Sequence, residues 1–311
     1  MAQTKTLPAK SKIIPPKKVA VKVAPPPKRP LRDESVTIRV PATTANLGPG
    51  FDCLGIAMQI YNRVTVRRGG PAQPHVMATD AAAKFFSAAH VPSFAFHWEI
   101  EGDVPQSRGM GSSVTVRLGL LHGLNELTGR PLDRERIFEL CAVLEGHPDN
   151  AAPASFGGFT AAKAGAQPLR ADVAPELKFV LLVPDFEIST PAARAVLPEL
   201  LDRQFAVQSA VNACRVTAAF MQKSYGFLRG SFVDHFHQPH RESLIPFLPK
   251  VIAAAEGRGA LGGFLSGSGS TICCLTLENP EAVAAAMRTA AGKGDAYTLI
   301  TSADNGGAAV I

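Results

Sequence analysis

Apolar and polar positions alternate in three early stretches of the chain. Residues 35–40 (SVTIRV), 61–68 (YNRVTVRR) and 94–100 (FAFHWEI) place β-branched or aromatic residues at every second position. That is the period of a half-buried strand. Between the last two, 79–89 (TDAAAKFFSAA) has the small and apolar spacing of a helix. The same spacing predicts helices over 112–128 and 133–145. Residues 157–164 (GGFTAAKA) and 177–184 (LKFVLLVP) read as strands. Beyond them the pattern predicts helices near 191–197, 204–223, 240–256 and 280–291, and strands near 261–266, 270–277 and 296–301. Strands and helices mix without the regular alternation of a parallel doubly wound sheet, so the class is α+β. No internal repeat is present.

Length and composition narrow this further. The 311 residues are 46% hydrophobic and 19% charged, as expected of a soluble globular protein with one large or two medium domains. No apolar run of about 18 residues predicts a membrane span. The basic N-terminus has no apolar core of about 7–15 residues behind it, so no secretory signal is expected. Residues 1–32 hold nine basic residues, no acidic one and seven prolines. The net charge of +6 is therefore owed to this tail, and the remainder carries three more acidic than basic residues. Such a segment is expected to be disordered. It reads as a solubilising extension or as a weak electrostatic contact for nucleic acid or an acidic surface. The nearly neutral remainder offers no general case for nucleic-acid binding.

The five cysteines are Cys53, Cys141, Cys214, Cys273 and Cys274, an odd number without a CxxC pair. Cys273 and Cys274 are neighbours in a predicted strand and point to opposite faces. Buried free thiols in a reducing cytoplasm fit this usage; a disulfide frame or a zinc site does not.

Four stretches carry candidate chemistry. In 105–125 (PQSRGMGSSVTVRLGLLHGLN), Gly109 and Gly111 let the backbone approach a ligand, and Ser112 and Ser113 open a helix where free N–H groups favour an anion. An ordinary helix cap explains the same residues. The segment is not a Walker A loop, because GxxxxGK[ST] is absent. In 145–159 (EGHPDNAAPASFGGF), His147, Asp149 and Asn150 sit at a helix end, as a turn or as a place for a magnesium ligand. In 41–57 (PATTANLGPGFDCLGIA), Asn46 and Asp52 follow a strand, as backbone caps or as ligands for a hydroxyl or ammonium group. In 263–275 (GFLSGSGSTICCL), a glycine-serine loop joins two strands, as a hairpin or as a backbone nest for an anion.

Taken together and in this order, the stretches resemble the GHMP small-molecule kinases, and within them the homoserine kinase family. The motif P-x-x-x-G-L-G-S-S-A is similar to 105–114, with Met110 for Leu and Val114 for Ala. A-x-T-A-N-L-G-P-G-F-D is similar to 42–52, and L-S-G-S-G-P-T to 265–271 with Ser270 for Pro. E-G-H-P-D-N followed by A-P and G-G-F resembles the homoserine kinases in particular, as does STPAARAVLP (189–198). The likeness covers about residues 35–311.

The resemblance implies a GHMP fold: an N-terminal α+β domain with a left-handed βαβ phosphate loop, here 34–176, and a C-terminal ferredoxin-like domain, here 177–311, behind the tail of 1–33. It implies phosphorylation of the hydroxyl of L-homoserine by ATP with Mg²⁺, in the cytoplasm. The implied ATP loop is Pro105, Gln106, Ser107, Arg108, Gly109, Met110, Gly111, Ser112, Ser113, Val114 and Thr115. Ser112, Ser113 and Glu139 would hold Mg²⁺. Asn46, Asp52, His147, Asp149, Thr190 and Gly267 would surround the substrate, and Arg194 and Arg241 would grip its carboxylate. Asn150, Asp149 and Ser113 would stand at the reacting groups. With Asn at 150, the substrate hydroxyl is expected to attack without a strong general base. Homoserine kinases are often dimers, but no separate signal for one is visible, and no nucleic-acid role is expected of the tail.

Three departures stand out. Val114, Thr115, Val116 and Arg117 replace small residues, with Arg117 expected in solvent. Ala81 to Ala83 stand where an adenine-side Asn is expected. The basic tail lies outside the pattern. Two other readings stay open: a GHMP kinase for another small alcohol, and a GHMP-like binder without turnover whose tail engages nucleic acid.

Overall fold

A computed structural model describes residues 34–71, 73–292 and 294–311. The disorder expected of 1–32 lies outside the described residues.

The first sheet runs β10-β1-β2-β4-β5, with β3 also paired to β2, and every pairing is antiparallel. Its strands are β1 (Ser35–Ala45), β2 (Leu54–Arg68), β3 (Phe96–Gly102), β4 (Phe159–Ala161), β5 (Leu169–Ala171) and β10 (Ala309–Val310). Helices α1 (Val76–Ala89), α2 (Ser112–Leu127), α3 (Arg134–Glu145) and α4 (Ala151–Phe156) accompany it. Val114, Leu118, Leu121 and Leu124 of α2 share a core with Ile38, Val40, Val64, Val66 and Phe85. Two glycines let α2 lie close on the sheet: a Cβ at Gly119 or Gly123 would come within 2.5 and 2.4 Å of the Val64 and Val66 side chains. Asn62 of β2 donates to Thr115 Oγ1 at 2.8 Å and fixes the helix along its axis.

The second sheet runs β7-β8-β6-β9, again antiparallel throughout. It contains β6 (Lys178–Pro184), β7 (Gly262–Leu265), β8 (Ile272–Thr276) and β9 (Ala296–Thr301). Between β6 and β7 the chain forms α5 (Thr190–Ala195), α6 (Arg203–Met221), a 3₁₀ turn (Tyr225–Leu228), α7 (Gln238–Arg241) and α8 (Leu248–Glu256), and α9 (Pro280–Ala291) links β8 to β9. Helices between the first and second and between the third and fourth strands, with the first and third strands central, give the ferredoxin-like arrangement. Val251, Ala255, Val283 and Met287 of α8 and α9 pack on Val180, Leu182 and Cys274. A further core, with Leu47, Met58, Phe159, Phe179, Phe220 and Phe264, joins the two sheets. β10 returns to β1 (Ile38 opposite Val310), and Met58 bridges to Ala303, so the chain's last residues cross the division expected at 176.

Two expectations about elements need correction. The supposed loop 41–57 is mostly strand. β1 runs on to Ala45 through a register shift at Pro41/Ala42, and β2 begins at Leu54, leaving 46–53 as the loop. A proline is tolerated in a strand at such an irregularity. The helix expected over 240–256 is two helices, α7 and α8. Pro246 and Pro249 supply no N–H to continue the first, and Pro249 instead sits in the opening turn of the second.

Candidate active site

A cleft of about 610 Å³ lies where loops 46–53, 106–111 and 266–268 meet the end of α3 and the start of α5. The loop before α2 shows why an anion would settle there. The carbonyls of Ser107, Arg108 and Met110 accept from Ile188 N (3.3 Å), Thr271 N (3.2 Å) and Thr43 N (3.1 Å). That of Gly109 accepts from Ser266 Oγ at 2.7 Å. With the oxygens turned into the protein body, the amides are left for the cleft. Among the described residues no acceptor takes the N–H groups of 108–113. Positive φ recurs at Ser107 (52°), Gly109 (72°) and Gly111 (68°), the alternation that gathers successive N–H groups into a nest. Gly109 cannot carry a side chain, because its Cβ would lie 2.1 Å from the Ser266 carbonyl oxygen. The nest opens onto the N-terminus of α2, whose cap residue Gly111 has no side chain to occupy it.

Of the expected nucleotide loop, Gln106 to Ser113 line the cleft, while Pro105, Val114 and Thr115 do not. Thr115 is fully buried, accepting from Asn62 and donating to Ser112 O at 2.7 Å. Val114 belongs to the core under α2.

The carboxylate beside this loop is Glu145. Ser113 Oγ donates to its Oε2 at 2.8 Å, and Arg117 NH1 pairs with its Oε1. The Glu145 side chain is 8% exposed and that of Arg117 17%. Glu139, expected to hold a metal, does not reach the cleft: it is 47% exposed and pairs with Arg136 at 2.7 Å. Six residues along a helix turn roughly 240°, so Glu139 and Glu145 face different ways. Gly146 ends α3 directly after Glu145, with φ 84°. The expectation that Arg117 lies in solvent is likewise corrected. One turn beyond Ser113, it is on the same face of α2 and turns to Glu145.

The other end of the cleft is built from side chains. Asn46 accepts from Asp52 N (3.0 Å) and donates to Gly267 O (2.9 Å), tying loop 46–53 to loop 266–271. Arg194 grips both oxygens of Asp52, at 3.1 and 2.7 Å. Arg241 is 2% exposed; its Nε donates to Ala193 O and its NH1 to Gly267 O, each at 3.0 Å. Burial, then the neighbouring Arg194 charge, brings the Arg241 pKa down to about 10. His237 Nε2 faces Gly48 O at 2.9 Å and so carries the proton, leaving Nδ1 to accept from Arg241 NH1 at 3.2 Å. Burial lowers the His237 pKa to about 4, which keeps that ring neutral. Both guanidinium carbons lie 5.4 Å from the centre of the Phe51 ring, a shared platform for two like charges.

Asp52, His147 and Asp149 each bring an atom to one spot, all within 4.8 Å of one another. Asp149, 2% exposed, accepts from His147 Nδ1 (2.5 Å) and Asn150 N (2.9 Å) on the same oxygen. That hydrogen bond raises the His147 pKa above the usual imidazole range, against the effect of burial. Asn150 accepts from Thr43 Oγ1 at 2.6 Å and stands between this cluster and Gly111. Thr190 and Gly267 also line the cleft. Every expected substrate-side residue is therefore brought together here.

At the opposite edge, His75, Met77, Trp98 and Ile100 form an apolar wall. The rings of His75 and Trp98 meet edge to face with centroids 5.3 Å apart. Sequence reasoning missed this wall, and it missed Thr43, Phe51 and His237, whose importance comes only from tertiary neighbours. Glu145 had a signal, since it opens the EGHPDN stretch.

Comparison with known proteins agrees with the geometry. The family model for the GHMP kinases N terminal domain matches residues 76–158, and that for GHMP kinases C terminal matches 219–294. The homoserine kinase of Trichormus variabilis is 39% identical over 280 residues, covering 82% of this chain and 91% of that protein. The homoserine kinase of Desulfitobacterium hafniense is 36% identical over 296 residues, covering 89% and 100%. Among solved structures, the homoserine kinase from Cytophaga hutchinsonii superposes with a TM-score of 0.82 at 24% identity, over 90% of this chain and 98% of that one. The mevalonate kinase of Methanococcus jannaschii shares the fold at 13% identity, with a TM-score of 0.65 over 87% of this chain and 99% of that one.

Proposed function

The chain belongs to the homoserine kinase family of GHMP kinases, and we propose that it transfers the γ-phosphoryl group of ATP to the side-chain hydroxyl of L-homoserine. The product, O-phospho-L-homoserine, belongs to threonine biosynthesis. One observation carries the reading. A nest of amides without acceptors and a cluster of two guanidiniums facing two carboxylates share a single cleft. The nest suits a triphosphate, and the cluster is the complement of a zwitterion.

In this reading Arg194 and Arg241 hold the substrate carboxylate, Asp52 and Asp149 its ammonium group, and the apolar wall with Trp98 the nucleobase. Ser113 and Glu145 fit Mg²⁺, because they are hard oxygen donors held 2.8 Å apart beside the phosphate loop. Ser112, which also lines the cleft, would complete the set. When bound, Mg²⁺ neutralises charge on the phosphate oxygens.

The residues present argue against a strong general base. The Asn150 amide cannot take up a proton at neutral pH, and its oxygen is engaged by Thr43. Asp149 Oδ1 already accepts from His147 and Asn150. The remaining work is alignment: the hydroxyl is held in line with the γ-phosphorus, and its proton leaves to solvent or to a phosphate oxygen. Asp149→Asn is then expected to weaken homoserine binding more than it slows turnover at saturation. A loss of about 10²–10⁴ in kcat with binding intact would reinstate a general base.

The reading also includes a homodimer. Val207, Val211 and Met221 on α6 are each about half exposed, at 56, 54 and 44%, and their spacing puts them on one side of the helix, an apolar face suited to self-association. Analytical ultracentrifugation tests it. The function itself is tested by ADP release with Mg-ATP and a panel of small alcohols. Homoserine is expected to be the preferred acceptor, and turnover of an isoprenoid alcohol without homoserine turnover would assign the chain to another GHMP activity.

A further inference from the structure

Arg117 is the one cleft-lining residue of α2 whose charge the proposed reaction has not used. Its side chain is mostly buried, its NH1 lies on Glu145 Oε1, and its Nε is buried without an acceptor. The second Glu145 oxygen accepts from Ser113. Both oxygens of the carboxylate assigned to the metal are thus occupied by the protein's own donors. A divalent cation that takes Glu145 must compete with a guanidinium already there. A guanidinium released from a buried carboxylate needs another anion close by, since an unpaired buried charge is strongly disfavoured. The nearest place built for an anion is the amide nest of 108–113, which begins one helical turn from Arg117 on the same helix.

We propose that Arg117 is a cation with two stations. In the free enzyme it neutralises Glu145 and holds the metal's carboxylate closed; when a nucleotide's phosphates enter the nest, it moves to their oxygens and leaves the carboxylate to the metal. The chain thereby carries a phosphate-binding arginine in addition to the loop amides. A guanidinium suits this task because its planar fork can engage two phosphate oxygens. The inference rests on the kinase reading only in its assignment of the loop to phosphates and of Glu145 to the metal.

Binding measurements on the full chain test it without turnover. Mn²⁺ alone is titrated by electron paramagnetic resonance, and ADP alone by calorimetry in the presence of EDTA. Arg117→Met should bind Mn²⁺ about tenfold more tightly, because Glu145 is uncovered, and ADP about tenfold more weakly. Glu145→Gln should do the reverse, losing Mn²⁺ while holding ADP as tightly as wild type or more so, because Arg117 is released. These opposite signs separate the proposal from a merely structural ion pair, whose loss weakens both ligands or neither. Weaker Mn²⁺ binding in Arg117→Met, or metal-free ADP affinity within twofold of wild type, overturns the proposal. If Arg117→Met does not fold, Glu145→Gln decides: weaker metal-free ADP binding overturns it. A wild-type chain that binds ADP and Mn²⁺ but never phosphorylates homoserine would instead overturn the kinase reading, leaving these arms unaffected.

Discussion

The two ends of the cleft are made differently. The end proposed for the phosphates is main chain: amides of 108–113, presented because four consecutive carbonyls are bound behind them. The end proposed for homoserine is side chain: Asp52, His147, Asp149, Arg194 and Arg241, each already held by another protein group. A main-chain site depends on conformation and little on which residues decorate it. A side-chain site depends on the identity of each residue and on the groups that orient it.

The sharpest break in that contrast is Gly109→Val. A side chain there meets the Ser266 carbonyl at 2.1 Å and demands a φ of 72°. The expected result is loss of nucleotide binding and a fall in kcat/KM for ATP of about 10³ or more, with the protein still folded by circular dichroism. Gln106→Ala, in the same loop, should change little. At the other end, Arg194→Met and Arg241→Met should each lower kcat/KM for homoserine by about 10²–10³ and leave the KM for ATP within about threefold. Arg241→Met should also lower the melting temperature, because buried Ala193 O loses its guanidinium donor and Gly267 O keeps only that of Asn46. Arg194 is 38% exposed, so its loss should cost less stability.

A smaller effect sharpens the comparison at the nucleobase wall. Trp98 is the only tryptophan of the chain. Trp98→Ala should raise the KM for ATP about tenfold with kcat unchanged, the order of one lost stacking contact. In the wild type, nucleotide should change the intrinsic fluorescence while homoserine alone should not.

The smallest effect is one of pH. The raised His147 pKa reflects a proton held against Asp149. Its contribution to stability is present in full below the unfolded value of about 6.5 and is lost as pH rises through the folded value. The protonated ring also offsets the carboxylates proposed to face the ammonium group. The KM for homoserine should therefore fall severalfold as pH rises above about 6.5, and His147→Gln should flatten that dependence. The buried His122 and His237 act oppositely. Burial lowers both to about 4, so the stability they contribute is full above about 6.5 and declines as pH falls toward 4. Thermal melts across this range check the sign.

How far the sequence carried the reading follows the same divide. The long helices α2 and α6 were legible, because their faces repeat over several turns; of β2 only 61–68 reads as strand, its start falling in the supposed loop 41–57. The three-residue β4 falls inside 157–164, which reads as a strand, but the two- and three-residue strands β10 and β5 are too short for a period to identify. The glycine-rich loop was visible as a motif. Its carbonyl partners, Thr43, Ile188, Ser266 and Thr271, were not, since they come from far along the chain. Glu139 and Glu145 lie on one helix, and only the direction in which α3 faces decides between them. Arg117 was placed in solvent because charge on a helix usually is; a single tertiary partner reversed that. The substrate-side residues came from the family resemblance, and tertiary structure added what orients them: Phe51 under both arginines and the neutral His237 beside one.

The most direct test of the division between the two ends compares two acceptors that differ only at the carboxylate. With saturating Mg-ATP, kcat/KM is measured for L-homoserine and for 2-amino-1,4-butanediol, in which a hydroxymethyl group replaces the carboxylate. The account predicts ADP release with homoserine and a value about 10³ lower for the diol, the penalty shrinking in Arg194→Met and Arg241→Met. Equal turnover of the two acceptors, or the same penalty after both arginines are removed, would contradict it.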